Sequence, residues 1–328
     1  GRKESTAGRG NMNGVSPMPL APKGNPEGLS SAAIVLLSAT LYGISPILMK
    51  VALNAGMTPI QVLAVRTVIA VPVLWIVLAL TRSLVLPPRG RLTPLLVMGG
   101  VLIPLQAYGF VFGLKYLPVS SIAVLVALYP LHVAWIGWIV LGERIRWTDA
   151  PVLLLVIAGA ILVAGQTPSL GKMAGLVAVT MTTISAGIYA VAARRVLQDV
   201  EPLAALNALL ATSGLIFAVV ATLTGQWGLP AYTPALWATV ASGFLAGVFA
   251  PLLLLHGFRR LPAAHVAVLG SFEPVVTMSL GVLLLNDRLS AIQALGGLCI
   301  IGGIATLQIL RTARAAYQAS AGRRSSTT

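Results

Sequence analysis

Residues 117–144 read LPVSSIAVLVALYPLHVAWIGWIVLGER, and residues 261–288 read LPAAHVAVLGSFEPVVTMSLGVLLLNDR. Both stretches begin with Leu-Pro, carry a second proline at the same spacing, and end with an acidic residue followed by Arg. Equivalent positions lie 144 residues apart, and the two copies align without a gap from Gly113 to Gly159. The same offset holds for two pairs further upstream, which are Gly43 with Gly187 and Lys50 with Arg194. The sequence therefore contains an internal duplication.

The composition is that of a protein embedded in a membrane. Only 9% of residues are charged, 57% are hydrophobic, and the mean hydropathy is +0.91, whereas a soluble domain carries about 25% charged residues. Apolar runs of about 20 residues recur, each long enough to cross a hydrocarbon core of roughly 30 Å. Because backbone polar groups in lipid must be satisfied within helices, the sequence predicts an all-α polytopic membrane protein. Its ten transmembrane helices are predicted at roughly residues 29–52, 58–80, 93–114, 118–141, 149–165, 172–193, 202–224, 235–257, 263–285 and 290–311.

The duplication also predicts how these helices are arranged. Each copy holds five predicted spans, and an odd number forces the second copy to cross the membrane in the opposite sense. Inverted repeats around a midplane site are typical of secondary transporters. We therefore expect two inverted five-helix repeats around a central cavity, at residues 29–165 and 170–311. Residues 1–28, rich in Gly, Pro, Asn and Ser, are predicted to be a disordered cytoplasmic tail, and residues 312–328 a C-terminal cytoplasmic tail.

The net charge of +14 is interpreted as a topology signal. Of the 22 basic residues, 17 lie in the N-terminal tail, the even-numbered interhelical loops and the C-terminal segment. The positive-inside rule then places both termini in the cytoplasm. The basic excess also predicts weak attraction to anionic membrane lipid, and its distribution over loops argues against nucleic acid as a partner.

The sequence contains no motif for catalysis or for a bound metal. The lone cysteine, Cys299, excludes an intrachain disulfide and a cysteine-based metal cluster, and three scattered histidines have no nearby acid at ligand spacing. No Gly-x-Ser-x-Gly elbow, His-Glu-x-x-His pair or P-loop occurs. We therefore predict no catalytic residue, no metal site, no cofactor and no direct drive by ATP.

The paired signature resembles the drug/metabolite transporter superfamily, specifically its ten-helix EamA-type branch. It consists of Pro130 and Leu141-Gly142-Glu143-Arg144 in copy one, and of Glu273-Pro274 and Leu285-Asn286-Asp287-Arg288 in copy two. Copy two has Asn-Asp where the family usually has Gly-Glu. The resemblance covers about residues 29–311 and implies export of small metabolites across a bacterial inner membrane. Within the branch, the chain is most similar to aromatic amino-acid exporters of the YddG type.

One acidic residue and two prolines lie inside predicted spans. Glu273 falls near the middle of the ninth span, where a carboxylate is costly and marks a functional site by default. It either pairs with a substrate ammonium group, carries a proton, or makes a structural hydrogen bond beside Pro274. Pro130 and Pro274 occupy equivalent positions, and each removes one backbone donor. They are interpreted either as paired hinges or as static kinks.

Polar and aromatic side chains inside the spans predict the wall of a substrate cavity. A buried tyrosine needs a partner for its hydroxyl group, and its ring can stack on an apolar ligand. His132 shares a helix face with Tyr129, three residues earlier. The alternatives are ordinary helix packing for the tyrosines and a hydrogen bond to a neighbouring backbone carbonyl for His132. The residues predicted to bind substrate together with Glu273 are Tyr42, Gln106, Tyr108, Tyr129, His132 and Tyr189.

Arg66 is the one basic residue well within a span. It either pairs with Glu273, holds a substrate carboxylate, or extends along its stem to the membrane interface, and its closeness to the outer end of the span favours the last. Small residues in the fifth and tenth spans, including Gly159 and Gly296, predict close helix contacts within the chain or between protomers. Monomer and homodimer both stay open.

The sequence favours a secondary transporter with one central site. Its apolar, tyrosine-lined wall would select aromatic or apolar amino acids, or related metabolites, as small-molecule substrates. The alternative is a passive facilitator or a broad drug exporter in the same fold. An intramembrane enzyme is disfavoured, because most of the eight acidic residues lie in tails or loops.

Overall fold

The computed structural model describes residues 26–82, 86–142, 150–164, 169–228, 233–261, 263–270, 272–288, 290–303 and 306. In this part of the chain all regular secondary structure is helical, without a strand. The helices are α1 (Pro26–Asn54), α2 (Pro59–Leu80), α3 (Arg89–Tyr116), α4 (Val119–Val126 and Tyr129–Leu141), α5 (Ala150–Ala164), α6 (Leu170–Val196), α7 (Pro202–Leu223), α8 (Thr233–Arg260), α9 (Ala263–Gly270 and Phe272–Leu285) and α10 (Ala291–Gly303).

Each of these helices coincides with one of the ten predicted spans. Seven of them, α1 to α4 and α6 to α8, are long and apolar enough to cross a membrane. The described parts of α5, α9 and α10 are apolar but shorter. The all-α, multi-pass fold is therefore confirmed. The predicted tails lie outside the described residues, except that α1 already begins at Pro26.

Side-chain caps determine where two of the helices begin. Thr58 and Gln61 form a capping box at the start of α2, in which each side chain accepts a hydrogen bond from the other residue's backbone N–H, at 3.2 and 2.8 Å. At the start of α7, the Glu201 carboxylate accepts from the N–H groups of Leu203 and Ala204, at 2.7 and 3.0 Å. A carboxylate at this position also interacts favourably with the helix dipole.

Contacts between helix ends define two faces of the bundle. On the first, the Lys50 ammonium group near the end of α1 donates hydrogen bonds to the carbonyl oxygens of Leu114 and Leu117 at the end of α3. The Asp287 carboxylate, just after α9, accepts from the N–H and hydroxyl groups of Ser120 at the start of α4, both at 3.0 Å. We call this the Lys50 face.

Two ion pairs between described residues lie on the opposite face. Arg91 at the start of α3 lies 2.8 Å from Asp199, which follows α6. Arg259 at the end of α8 lies 2.6 Å from Glu201, which precedes α7. We call this the Glu201 face.

The two faces show that the repeats are inverted. Helix α3 runs from the Glu201 face to the Lys50 face, whereas its counterpart α8 ends on the Glu201 face. Likewise, α1 ends on the Lys50 face and its counterpart α6 ends on the Glu201 face. The predicted inversion is confirmed. The arginines in the last turns of α6 and α8 lie on the face that the sequence predicts to be cytoplasmic.

Three helices depart from regular α-helix near their middles. Helices α3 and α8 contain π-helical segments at nearly equivalent places in the two repeats, Met98–Leu102 and Gly243–Phe249, and such segments often lie at functional sites. Helix α4 is interrupted by a turn at Ala127 and Leu128. Pro130 is thus the second residue of a new helical segment, where its missing N–H breaks no intrahelical hydrogen bond. The expected kink inside a continuous helix is replaced by this turn.

Glycines bring equivalent helix pairs of the two repeats into close contact. Helix α1 crosses α9 at Gly43, where a Cβ atom would lie 2.7 Å from Cβ of Val276. Helix α6 crosses α4 at the equivalent Gly187, where a Cβ atom would lie 3.0 Å from Cβ of His132. Val276 and His132 are themselves equivalent positions. The same crossing therefore occurs twice, once in each orientation.

The small residues predicted in α5 and α10 pack against each other within the chain. A Cβ atom at Gly159 would lie 2.6 Å from the carbonyl oxygen of Gly296, and the reverse distance is also 2.6 Å. Only a hydrogen atom fits at this separation, so these glycines let the two backbones approach closely. Of the two kinds of contact that the sequence predicts, the structure shows the one within the chain.

We expect Gly43→Ala to destabilise the protein by about 1–3 kcal/mol, because overpacking forces neighbouring atoms apart. The added methyl group would lie 2.7 Å from Val276 Cβ and 3.0 Å from the Glu273 carbonyl oxygen. Gly302→Ala is the matched control: a Cβ atom there has no neighbour within 4 Å among the described residues, and alanine has the higher helix propensity. Melting temperatures of the purified proteins in detergent measure both. Equal values for the parent and Gly43→Ala would contradict the close crossing.

Candidate functional site

A cavity of about 450 Å³ lies between the two repeats. Side chains from α1, α2, α3, α4, α6, α7, α8 and α9 line it, and most of them are apolar. Sites for small molecules typically have volumes of about 300–1,000 Å³, apolar walls and a few polar groups. The polar side chains in this wall are Tyr42, Ser45, Arg66, Gln106, Thr182, Tyr189, Ser213 and Glu273.

Equivalent positions of the two repeats meet in this wall. Both members of four pairs contribute to it, and the members of each pair differ in side chain. The cavity therefore lies where the inverted repeats face each other, as in transporters with a midplane site. The arrangement of the helices is therefore duplicated, whereas the side chains that line the cavity differ between the two repeats. The four pairs are Ser45 with Tyr189, Arg66 with Leu210, Ile103 with Gly247, and Ala107 with Pro251.

Four of the seven residues predicted to bind substrate lie in the cavity wall: Tyr42, Gln106, Tyr189 and Glu273. They belong to α1, α3, α6 and α9, so only the tertiary fold brings them together. Thr182 also holds α6 against α3, because its hydroxyl group donates a hydrogen bond to the Gln106 carbonyl oxygen at 3.1 Å.

The other three predicted residues are not among those that line this cavity. Tyr108 packs along α3 against Phe112, with the ring centroids 5.7 Å apart. Tyr129 is 44% exposed. His132 lies at the crossing of α4 and α6, against Gly187. In these positions the side chains of Tyr108 and His132 make contacts with helix neighbours.

Glu273 contributes an acidic side chain to the cavity wall. Glu273 lies in the first turn of the second segment of α9. Its backbone is held in place, because the Thr277 hydroxyl group lies 3.1 Å from the carbonyl oxygens of both Glu273 and Gly43 on α1. Among the described residues, no hydrogen bond or ion pair reaches its carboxylate. An ionisable group that lines an intramembrane cavity marks a functional site.

Arg66 is a candidate that the sequence placed elsewhere. It lines the cavity, so the expectation that it extends to the membrane interface is wrong. Its Nη1 atom lies 3.6 Å from Sδ of Met49, another wall residue, and no carboxylate among the described residues pairs with it. Helix α8 packs directly on α2 here, because Gly243 lacks a side chain: a Cβ atom there would lie 2.7 Å from the Arg66 carbonyl oxygen.

Comparison with known proteins agrees with this architecture. The EamA-like transporter family matches the chain twice, at residues 29–165 and 173–308. The uncharacterized transporter YcxC of Bacillus subtilis (strain 168) is 26% identical over 289 residues, covering 82% of this chain and 89% of that protein. A solved structure described as "Crystal structure of protein" has a TM-score of 0.59 at 23% identity, and the match covers 86% of this chain and 97% of that chain. This last likeness concerns the fold alone.

Proposed function

Because the chain belongs to the EamA-like transporter family, we propose that it is a secondary exporter of aromatic or apolar amino acids. The observation that carries this substrate class is the cavity wall, in which tyrosines and apolar side chains surround a few polar groups. The membrane is proposed to be a bacterial inner membrane. The Glu201 face, with its arginine-rich helix ends, is proposed to be cytoplasmic.

The cavity suits one amino acid with a flat or apolar side chain. The rings of Tyr42 and Tyr189 can stack on such a side chain, and Phe110 and Leu206 extend the apolar surface. Apolar contacts discriminate a missing methylene group by only about 1–3 kcal/mol. We therefore expect a broad specificity among phenylalanine, tyrosine and tryptophan.

The proposed mechanism is alternating access. Because the repeats are inverted copies, an exchange of their conformations converts one facing state into the other. Different contacts hold the two faces: hydrogen bonds of Lys50 and Asp287 on one, and the ion pair of Arg259 with Glu201 on the other. Breaking one set while keeping the other would expose the cavity to one side at a time.

Efflux from loaded proteoliposomes tests this function. Phenylalanine, tyrosine and tryptophan should leave at similar rates, and glutamate at least about tenfold more slowly, because its second carboxylate would be buried in an apolar wall. Vesicles without protein are the control. Glutamate efflux as fast as phenylalanine efflux would overturn the substrate class. Accumulation driven by an imposed pH difference supports a secondary transporter, whereas flux that only equalises the two concentrations supports a passive facilitator.

Pro130 and Pro274 are proposed as the hinges of this exchange. Pro130 lies near the start of the second segment of α4, and Pro274 occupies the equivalent position in α9. Because the repeats are inverted, Pro130→Ala and Pro274→Ala should shift the preferred facing state in opposite directions. Side-specific labelling of Tyr189→Cys, in a Cys299→Ser background, measures the shift. Identical labelling rates in the parent and both variants would mean that the prolines are static.

A further inference from the structure

Two side chains of opposite charge share the cavity without pairing. Arg66 on α2 and Glu273 on α9 both line it. In the part of the chain that the structure describes, no ion pair joins them and neither has another charged partner. Unpaired charges inside a membrane are costly, and they mark the places where a substrate or ion is met.

The two charges lie at different depths. Arg66 is the eighth residue of α2, which begins at Pro59 on the Lys50 face, so it lies about 10 Å along the helix axis from that face. Helix α9 ends near the same face at Leu285, which is about 18 Å along the axis from Glu273. The guanidinium group is therefore nearer the Lys50 face than the carboxylate, and the cavity has a fixed electrical polarity.

This polarity is a departure from the repeat symmetry. The position equivalent to Arg66 is Leu210, which also lines the cavity, and the position equivalent to Glu273 is Tyr129. Among the described residues, the two repeats thus contribute one basic and one acidic side chain to the cavity wall. A ligand with a single charge leaves one of them unpaired, which is unfavourable in a dry site. A ligand that carries both charges pairs with both, in one orientation.

We propose that Arg66 is the carboxylate anchor of a zwitterion site. Its planar guanidinium group binds the α-carboxylate through two parallel hydrogen bonds, the strongest arrangement for this pair, and Glu273 accepts hydrogen bonds from the α-ammonium group. The substrate side chain then lies against the apolar wall. This assignment rests on the proposed function, and adds to it the recognition of both ionic groups and a single orientation, with the carboxylate towards the Lys50 face.

The test compares ligands that differ by one ionic group. Calorimetry on the purified protein in detergent measures the binding of phenylalanine, of phenethylamine, which lacks the carboxylate, and of 3-phenylpropionate, which lacks the ammonium group. We expect the parent to bind phenylalanine at least about tenfold more tightly than either analogue, because each removes a charged hydrogen-bonding group. Arg66→Gln should lose about tenfold to a hundredfold in affinity for phenylalanine and keep its affinity for phenethylamine.

Two further variants control for charge and for geometry. Lys172→Gln removes an exposed cation at the start of α6, and should bind all three ligands as the parent does. Arg66→Lys keeps the charge without the planar fork, and its affinity for phenylalanine should fall between those of the parent and Arg66→Gln. Retained binding of phenethylamine also shows that a variant is folded.

The outcomes separate this assignment from the proposed function. The parent and Arg66→Gln are compared by the ratio of their affinities for phenylalanine and phenethylamine. An equal ratio in both proteins would show that Arg66 does not bind the α-carboxylate. If that variant does not fold, binding to the parent protein still tests the assignment. Phenylalaninamide lacks the negative charge of phenylalanine, so equal affinities for these two ligands would also contradict a carboxylate anchor. A parent that binds none of these ligands overturns the amino-acid substrate class itself, and the anchor with it.

Discussion

Glu273→Gln is expected to lower kcat/KM for phenylalanine exchange by about a hundredfold or more, since removing one partner of a buried ion pair costs roughly 3–5 kcal/mol. The glutamine side chain has the same shape but no negative charge, so the substrate ammonium group would enter the cavity without its partner. The contacts that hold this part of α9 use the backbone carbonyl oxygen of Glu273, which the substitution keeps. The melting temperature should therefore stay close to that of the parent.

Exchange of labelled phenylalanine in proteoliposomes measures this effect. Asp199→Asn is the matched control, because it makes the same carboxylate-to-amide change at a side chain that is 74% exposed and paired with Arg91. Exposed ion pairs contribute only about 0–1 kcal/mol, so the control should transport at nearly the parent's rate. Equal loss of exchange in both variants would contradict a specific role for the cavity carboxylate.

The same variant distinguishes the three roles that the sequence leaves open for Glu273. A partner for the ammonium group predicts loss of exchange under all conditions. A proton carrier predicts loss of pH-driven accumulation alone, with downhill exchange retained. A structural hydrogen bond predicts a lower melting temperature or a lower yield, with transport retained by the protein that folds. The zwitterion site requires the first result, and either of the others would count against it.

Asp287→Ala is expected to raise the accessibility of the cavity from the Lys50 face by about tenfold to a hundredfold, because hydrogen bonds to a charged group contribute roughly 1.5–3 kcal/mol. The Asp287 carboxylate joins the second repeat to the first, through the N–H and hydroxyl groups of Ser120 in the first turn of α4. A carboxylate near a helix N-terminus is also stabilised by the helix dipole. Lys50 interacts electrostatically with Asp287 and binds the carbonyl oxygens at the end of α3.

One cluster therefore holds α1, α3, α4 and α9 together on the Lys50 face. Its loss is measured with Met49→Cys in a Cys299→Ser background, because Met49 lines the cavity and is only 2% exposed. An impermeant thiol reagent is added on the Lys50 face. Asp199→Ala, which breaks an exposed ion pair on the other face, is the control and should leave the labelling rate unchanged. A rate in Asp287→Ala equal to that of the parent would show that the cluster does not hold this face closed.

The sequence alone determined the number of helices, their apolar character and their inversion. A run of about 20 apolar residues forms a helix in lipid wherever it lies in the chain. The inversion follows from the number of spans, because five spans per copy make the second copy cross the membrane in the opposite direction. Glu273 could also be identified from the sequence, because a carboxylate within an apolar run is costly in any packing arrangement. The offset of 144 residues even pairs the positions that later meet in the cavity wall.

Only the tertiary structure decided which side of each helix faces the cavity. In a soluble protein a polar face would show this, but helix surfaces that meet lipid and those that meet other helices are both apolar. Gln106 lines the cavity and Tyr108, two residues later, does not, because side chains two apart on a helix point in different directions. Arg66 lines the cavity at a place where α8 packs directly on α2, and Gly243, in the π-helical segment of a distant helix, makes this close packing possible. The distance between two helices depends on such non-local contacts. The hydropathy of α2 or of α8 alone does not predict them.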